Sequence, residues 1–489
     1  MEKYNVGVIT DGELGCNIAL KLSSEGYSAV VYNTNIETMD REAIDKYTGV
    51  MKSNGIMVTT SSDSLINLLE KPRRVFVVSQ SSSYAETILQ ELMEFLEDKD
   101  IIIDTCDSNY KISASRCRSF EKKNVYYMGA GISSIEDDIL NGVSIMVGGS
   151  FDAYGEIEEM LSDISSMYGA FSCCAYMGPD GAGQYVKMIH NGIEYGILHS
   201  ISDAISALKH VTGIDRNQLS EIINEWAIGD NESFLLQAVA DILERRSSES
   251  EDFISDVVSD KVGYSKSVIW LCSSALELSA PIPSIQGALN TRFISNAKKE
   301  RVGISEKLES TTGQIHVIND RKKEFIEDIK NSLFLSSICV YAQAFSILKR
   351  ASDLYIWGTP LEAVAITFQG GSFIRSRLLN RIIDAYGEKS DLRHLFEDSY
   401  FVKEIKRCLP SLKRVINAAN ECGLPLSVMS ESLSYINSIR LSYLDTGIVE
   451  LARDYIQGSG FELEGLPKKK FSGLWKNYEK EIEIEEIVK

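Results

Sequence analysis

The sequence predicts an α/β doubly wound N-terminal domain, then a large all-α domain, then an extended C-terminal tail. Three observations carry this. Up to about residue 178, short β-rich runs alternate with helical apolar spacing. From Gly181 to about Leu451 the strand signals vanish and long amphipathic patterns take over. From about Gly458 the chain turns Gly-rich, then basic at Lys468-Lys469-Lys470, then acidic, which suits a tail better than a core. The expected divisions are 1–178, 179–451 and 452–489.

Asn5–Thr10 is an apolar, partly β-branched run and reads as the first strand, with helical spacing over Asn17–Glu25 after it. Ser28–Asn33, Val75–Val78, Ile101–Asp104, Val125–Gly129 and Ser144–Val147 repeat the strand pattern, and Tyr84–Leu96 is helical between two of them. Strands joined through helices must run parallel, so one sheet with helices on both faces follows. In the all-α part, Gln184–Val211 and Asp328–Leu354 have long amphipathic patterns. Gly192–Leu208 and Ser332–Leu348 share an early aromatic and a Ser/Ala-rich face, a weak sign of internal duplication.

Composition bounds the partners. The chain has 489 residues, 44% of them hydrophobic, which fits a globular protein of two or three domains. Its 50 Lys+Arg against 70 Asp+Glu give a net charge of −20. That argues against nucleic acid, whose phosphates want a basic stripe. An anionic substrate would need a local basic pocket working against the global field. No uninterrupted apolar run approaches the ~20 residues of a membrane span, and Tyr4–Thr10 is too short for a secretory signal. Nine scattered Cys without a CxxC pair fit a reducing cytoplasm. The five His do not group with Cys or carboxylates at ligand spacing, so no metal is expected.

The first strand runs into Asp11-Gly12-Glu13-Leu14-Gly15 and then a helix. A Rossmann-like fold places its Gly-rich turn there and lays a pyrophosphate on the helix N-terminus. A full fingerprint needs Gly at positions 10, 12 and 15; Thr10 stands in the first place, and a partial fingerprint also fits a plain βα turn. Asp11 and Glu13 set two carboxylates beside the diphosphate position, where they oppose binding unless they face solvent. At the end of the second strand an acid suits NAD and an Arg suits NADP; Asn33-Thr34-Asn35 offers neither.

The segment from Gly181 to Gly196 is the most informative. Lys187, His190, Asn191 and Glu194 fall at offsets 0, 3, 4 and 7, on one helix face. On most helices such a stripe is only a solvated surface. Here it is flanked by apolar positions just past a domain boundary, where clefts form. Partial burial there would lower the Lys pKa and raise the Glu pKa, as proton transfer requires.

The segment KMIHNGIEYG resembles the catalytic signature of 6-phosphogluconate dehydrogenase, a decarboxylating enzyme family of the pentose phosphate pathway. The likeness extends along the chain through Lys71-Pro72-Arg73-Arg74, Ile101-Ile102-Ile103-Asp104, Glu225-Trp226 with Ser233-Phe234-Leu235, and Lys299-Glu300-Arg301. It continues in Gly370-Gly371, Ile374-Arg375-Ser376 and Arg453-Asp454-Tyr455. The resemblance implies a homodimer whose tail reaches the partner, a small anionic sugar-acid substrate and NADP, with NAD as alternative. It implies that Lys187 takes a proton from the 3-hydroxyl and returns one, and that Glu194 protonates the enediol at C1. His190, Asn191, Ser133 and Asp107 would position substrate. Tyr195, Lys266, Arg292 and Arg453 would hold its phosphate. The implied coenzyme positions are Thr10, Gly12, Leu14, Gly15, Asn33, Thr34, Ser79, Gln80, Ser81 and Asp107.

Departures gather on the coenzyme side. The family's Gly-Leu-Ala-Val-Met-Gly is Thr10-Asp11-Gly12-Glu13-Leu14-Gly15, and its Asn-Arg-Thr is Asn33-Thr34-Asn35. Its Val-Lys-Ala is Ser79-Gln80-Ser81, and its Gly-Gly-Asn-Ser is Thr105-Cys106-Asp107-Ser108. Two cations are thereby lost. On the substrate side, Ser-Gly-Gly is Ser133-Ser134-Ile135, a phosphate-binding Lys is absent or shifted to Lys266, and the tail His is Ser459. These residues leave three functions open: the same reaction, a related 3-hydroxy acid, or a non-catalytic paralogue with a structural or regulatory role.

Overall fold

A computed structural model describes residues 3–38, 40–79, 81–308, 321–473, 475 and 482–484. By contacts the chain divides into two compact units, Met1–Leu433 and Ser434–Lys489.

The first unit opens on an eight-stranded sheet built from β1 (Val6–Thr10), β2 (Ala29–Asn33), β3 (Met57–Thr59), β4 (Arg74–Val78), β5 (Ile101–Asp104), β6 (Tyr126–Ser133) and β7 (Ser144–Gly149). A small hairpin, β8 (Met167–Tyr168) and β9 (Phe171–Ser172), precedes the last sheet strand, β10 (Cys174–Gly178). The spatial order is β10-β7-β6-β5-β4-β1-β2-β3, parallel except between β6 and β7. Helices α1 (Glu13–Ser24), α2 (Arg41–Ser53), α3 (Ser62–Leu68), α4 (Ser82–Leu92), α5 (Tyr110–Glu121) and α6 (Phe151–Asp163) connect the strands. Both faces are covered: Val6 and Val8 enter one apolar cluster with Ile18 and Leu22, while Ile9 enters another with Leu65 and Leu89. That is why β1 reads as a continuous apolar run rather than an alternation.

The six expected strands are present within a few residues of their expected ends. β3 and β10 were not expected: β3 has only three residues and keeps Met57 exposed, and β10, Cys-Ala-Tyr-Met-Gly, is apolar but has no β-branched residue to mark it as a strand. Beyond residue 181 the unit is helical: α7 (Ala182–His210), α8 (Arg216–Trp226), α9 (Phe234–Glu244), α10 (Ile254–Val257), α11 (Lys266–Glu277), α12 (Pro283–Asn296), α13 (Lys298–Lys307), α14 (Lys322–Tyr355), α15 (Leu361–Thr367), α16 (Arg377–Glu388), α17 (Ser399–Glu421) and α18 (Ser427–Ile439). The two look-alike segments lie on α7 and α14, which pack against each other; a Cβ on Gly196 would come within 2.6 Å of Val340. Helix α14 is long and apolar enough to cross a membrane by length and composition, but most of it is buried among its neighbours.

The second unit takes the end of α18, α19 (Gly447–Gln457) and an antiparallel sheet of β11 (Phe461–Leu463), β12 (Leu466–Ser472) and β13 (Ile482–Ile484). The stretch expected as an extended tail is therefore extended but paired. Buried Asp454 organises it, accepting from the Gly460 and Gly473 amides, the Ser472 hydroxyl and the Trp475 indole.

Candidate active site

Helix α7 is laid directly on the sheet by missing side chains. A Cβ on Gly183 would meet the Gly129 and Met146 carbonyls at 2.4 Å, and one on Gly131 would meet the Lys187 Cβ at 2.4 Å. The close approach places the first turns of α7 across β6 and β7 and brings Lys187 beside β6, which ends at Ser133. Gln184 fastens the neighbouring loop by donating to the Cys106 carbonyl at 3.0 Å. The same loop is held from the other side by Arg116, which donates to the Asp104 carboxylate and the Ser108 hydroxyl at 2.9 and 3.0 Å. Asp107 sits between these anchors.

Three charges then share one desolvated region. Burial pulls the Lys187 ammonium down to about 8, opposed by the Asp107 and Glu194 carboxylates. Burial pushes Glu194 above the ordinary carboxylate range, with Arg292 and Lys187 opposing. Asp107 is raised in the same way, opposed by Lys187. An amine eased toward its free base and a carboxyl eased toward its acid form, two helical turns apart, can pass protons in opposite directions. The Lys187 Nζ also lies 5.3 Å from the Phe373 ring centroid.

The remaining polar groups are fixed by long-range partners. His190 is fully buried and exchanges a 2.8 Å hydrogen bond with Ser372; burial and nearby Lys187 keep its imidazole neutral. Asn191 donates to Ser267 at 2.9 Å. The Tyr195 hydroxyl accepts from the Ser265 amide at 2.5 Å, and the Arg292 guanidinium stacks 3.4 Å above the Tyr195 ring. Arg292 Nη2 is 4.0 Å from the Glu194 carboxylate. Among the described residues, the buried Ser133 Oγ and Gln184 Oε1 have no hydrogen-bond partner, as expected of groups that meet a ligand.

At the C-terminal ends of β1 and β4 lies a cavity of about 640 Å³ whose lining includes Thr10, Asp11, Gly12, Leu14, Ser79 and Ser81. Gly12 caps α1 without a side chain, so amides at the helix N-terminus face the cavity end of the strand. The Thr10 hydroxyl accepts from the Gly12 amide at 3.1 Å, and a Cβ on Gly15 would strike Thr10 at 2.4 Å. Thr10 thus fills the place of the first fingerprint glycine and makes Gly15 obligatory. Of the two acids, Glu13 is exposed, while the Asp11 carboxylate accepts from Ser79 at 2.7 Å. Asn33 is spent internally on the Asn35 amide and Cys16. Thr34 touches Tyr84, and Gln80 lies outside the described residues. Among the described residues lining this cavity there is neither Lys nor Arg.

Two family models span nearly the whole chain. The NAD binding domain of 6-phosphogluconate dehydrogenase matches residues 5–178, and the 6-phosphogluconate dehydrogenase C-terminal domain matches residues 183–475. The chain belongs to the 6-phosphogluconate dehydrogenase family. It is 34% identical over 462 residues to the NADP(+)-dependent, decarboxylating 6-phosphogluconate dehydrogenase of Bacillus subtilis (strain 168), covering 94% of this chain and 97% of that one. It is 32% identical over 467 residues to the decarboxylating 6-phosphogluconate dehydrogenase of Lactococcus lactis subsp. lactis (strain IL1403), covering 94% and 97%. The solved 6-phosphogluconate dehydrogenase of Plasmodium falciparum, studied alone, with its cofactor NADP+ and with its substrate 6-phosphogluconate, superposes with a TM-score of 0.91. Its identity is 30%, over 96% of this chain and all of that one.

In this family member, the expected residues Lys187, His190, Asn191, Glu194, Tyr195 and Arg292 come together, with Asp107 acting on Lys187 and Ser133 at the end of β6, the strand that Lys187 lies against at Gly131. Lys266 does not join them. It lies exposed at the start of α11, and its neighbours Ser265 and Ser267 reach Tyr195 and Asn191 instead. Arg453 belongs to the second compact unit and pairs with Glu450 at 2.8 Å. Ser265, Ser267, Ser372, Phe373 and His199 were not singled out from the sequence. Only His199 carried a local signal, lying one turn beyond Tyr195 on the same helix. Among the described residues no His, Cys, Asp and Glu group could hold a metal.

Proposed function

We propose that this protein oxidatively decarboxylates 6-phosphogluconate to ribulose 5-phosphate and CO2 with reduction of NADP. The observation that carries the reading is the half-buried pair on α7, with desolvation displacing Lys187 toward its free base and Glu194 toward its acid form. Neutral Lys187 takes the proton of the substrate's 3-hydroxyl. As ammonium it returns a proton to the oxygen at that carbon while the carboxylate leaves as CO2, and Glu194 delivers a proton to C1. His190 and Asn191, each locked by a serine, orient the sugar acid, and Arg292 on the Tyr195 face supplies charge for the phosphate. In a chain of net charge −20, Arg292 supplies the local cation an anionic substrate needs.

The bound nicotinamide supplies the hydride acceptor. The residues present fit a dinucleotide backbone, through Gly12, the N-terminus of α1 and Ser79 and Ser81 in the cavity wall. They fit the 2′-phosphate less well: the described residues lining the cavity include no Lys or Arg, and Thr34 stands at the end of β2 where an Arg would hold that group. Titrating purified protein with NADP and NAD while following intrinsic fluorescence, then adding 6-phosphogluconate and recording reduced nicotinamide, tests the reading. Coenzyme binding without turnover would support a non-catalytic paralogue; turnover of an unphosphorylated 3-hydroxy acid in preference would move the substrate.

The protein acts as a cytoplasmic homodimer in this proposal, with 1–178 holding coenzyme, 179–451 holding substrate and 452–489 reaching the partner. Support comes from α19, where Ile448, Val449, Tyr455 and Ile456 are exposed, and from nine unpaired cysteines. Sedimentation of the full chain and of a chain ending at Leu451 reads the dimer; a fully active truncated monomer would end this part of the proposal.

A further inference from the structure

Arg292 is held from behind. Its Nε donates to His199 Nε2 at 3.2 Å, and its Nη1 donates to the Gly263 carbonyl at 3.1 Å. The guanidinium plane rests on the Tyr195 ring, and the Tyr195 hydroxyl accepts from Ser265, two residues beyond Gly263. His199, Tyr195, Arg292 and the segment before α11 therefore form a closed circuit. Guanidinium has five donors and no acceptor capacity, so the contact with His199 exists only if Nε2 is unprotonated. The imidazole must then be neutral with its proton on Nδ1. Its surroundings agree, because burial and the adjacent Arg292 pull its pKa down to about 4. With Nε spent on His199 and one Nη1 hydrogen on Gly263, the second Nη1 hydrogen and the Nη2 hydrogens are left for a ligand, so that the Nη1–Nη2 edge presents a two-pronged fork to one anion.

We propose that His199 is a positioning residue that sets affinity for the substrate's phosphate by locking the Arg292 fork edge-on to the site. This rests on the reading of Arg292 as a phosphate ligand. His199 touches neither the reacting carbons nor coenzyme in this assignment; it acts through Arg292. Glutamine can offer an acceptor oxygen from the same helix position, whereas leucine cannot. The pair of variants therefore separates hydrogen bonding from packing.

The test uses the full chain and three proteins: wild type, His199→Gln and His199→Leu. Calorimetric titration with 6-phosphogluconate should show about tenfold weaker binding in His199→Leu, as for loss of one charge-assisted bond, and near wild-type binding in His199→Gln. Binding of unphosphorylated gluconate should be the same in all three. In turnover, His199→Leu should raise KM for 6-phosphogluconate by a similar factor while kcat stays within about threefold. Equal loss for both ligands, or equal loss in both variants, overturns the proposal by making the role structural. A second readout needs no substrate: in protein labelled with 15N-histidine, the resonance missing from His199→Gln should report a neutral Nδ1–H imidazole from pH 8 down to pH 5.5. A charged ring or an Nε2–H tautomer over that range overturns the lock outright. If wild type binds no 6-phosphogluconate, Arg292's assignment as its ligand falls and the affinity role of His199 falls with it. The imidazole spectrum then still decides whether the lock itself exists.

Discussion

The pH dependence of catalysis follows from the burial of Lys187. A free lysine with a pKa of 10.5 is neutral in only about 0.03% of molecules at pH 7, whereas at about 8 the fraction is ~9%. Enclosing the amine thus raises the supply of free base by roughly 300-fold. If Lys187 takes the substrate proton, kcat/KM should fall tenfold per pH unit below about 8 and level off above it. The assay is the initial rate of reduced-nicotinamide formation at limiting 6-phosphogluconate from pH 6 to 9.5. Lys187→Met should lose ~10²–10⁴-fold and lose the pH limb with it. The same burial acts on stability. Below pH 8 both folded and unfolded chains carry the charge, and the folded chain bears a penalty of roughly 3 kcal/mol from the downward shift. Between about 8 and 10.5 the folded chain sheds its proton while the unfolded chain keeps it, so stability should rise with pH across that window. Denaturant titrations of wild type and Lys187→Met at pH 7 and 10 should therefore differ most at pH 7. A rate limb breaking at an ordinary lysine pKa, or a flat stability difference, would refute the assignment.

Glu194→Gln keeps the shape of the side chain but cannot donate its proton; turnover should fall ~10²–10⁴-fold with melting unchanged, and near wild-type turnover would remove the acid role. Thr34→Arg should shift coenzyme preference toward NADP by about tenfold, ~1.4 kcal/mol, and wild type should prefer neither nucleotide by more than ~100-fold in measured dissociation constants. Strong NADP selectivity in wild type would place another cation at the 2′-phosphate. Gly131→Ala would put a Cβ 2.4 Å from Lys187 Cβ and 3.3 Å from the Gly183 carbonyl, so β6 and α7 must part. Activity should drop about 10²-fold from misplacement of Lys187, and stability by ~1–3 kcal/mol; an alanine variant with unchanged kcat would show that the close approach does not aim the lysine.

Local pattern carried the alternation of strands and helices, since each buried parallel strand must be apolar along its length and each connecting helix must be apolar on one side. The same logic made α7 visible and placed Lys187, His190, Asn191 and Glu194 on one face, because helical spacing converts sequence offsets into shared direction. Tertiary structure decided what surrounds that face. Ser372 reaches His190 from 182 residues away, Ser267 reaches Asn191 from 76, and no spacing rule links such pairs. The motif comparison left the phosphate lysine either absent or shifted to Lys266; in the fold the start of α11 turns Ser265 and Ser267 toward Tyr195 and Asn191 and leaves Lys266 exposed. Thr10 looked like a broken fingerprint; in the fold its hydroxyl ties down Gly12 and its bulk is met by the bare Gly15. The opposed displacement of Lys187 and Glu194 also belongs to the fold alone. It arises from desolvation, which depends on how closely β6, α7 and α12 approach one another, and on glycines that permit it.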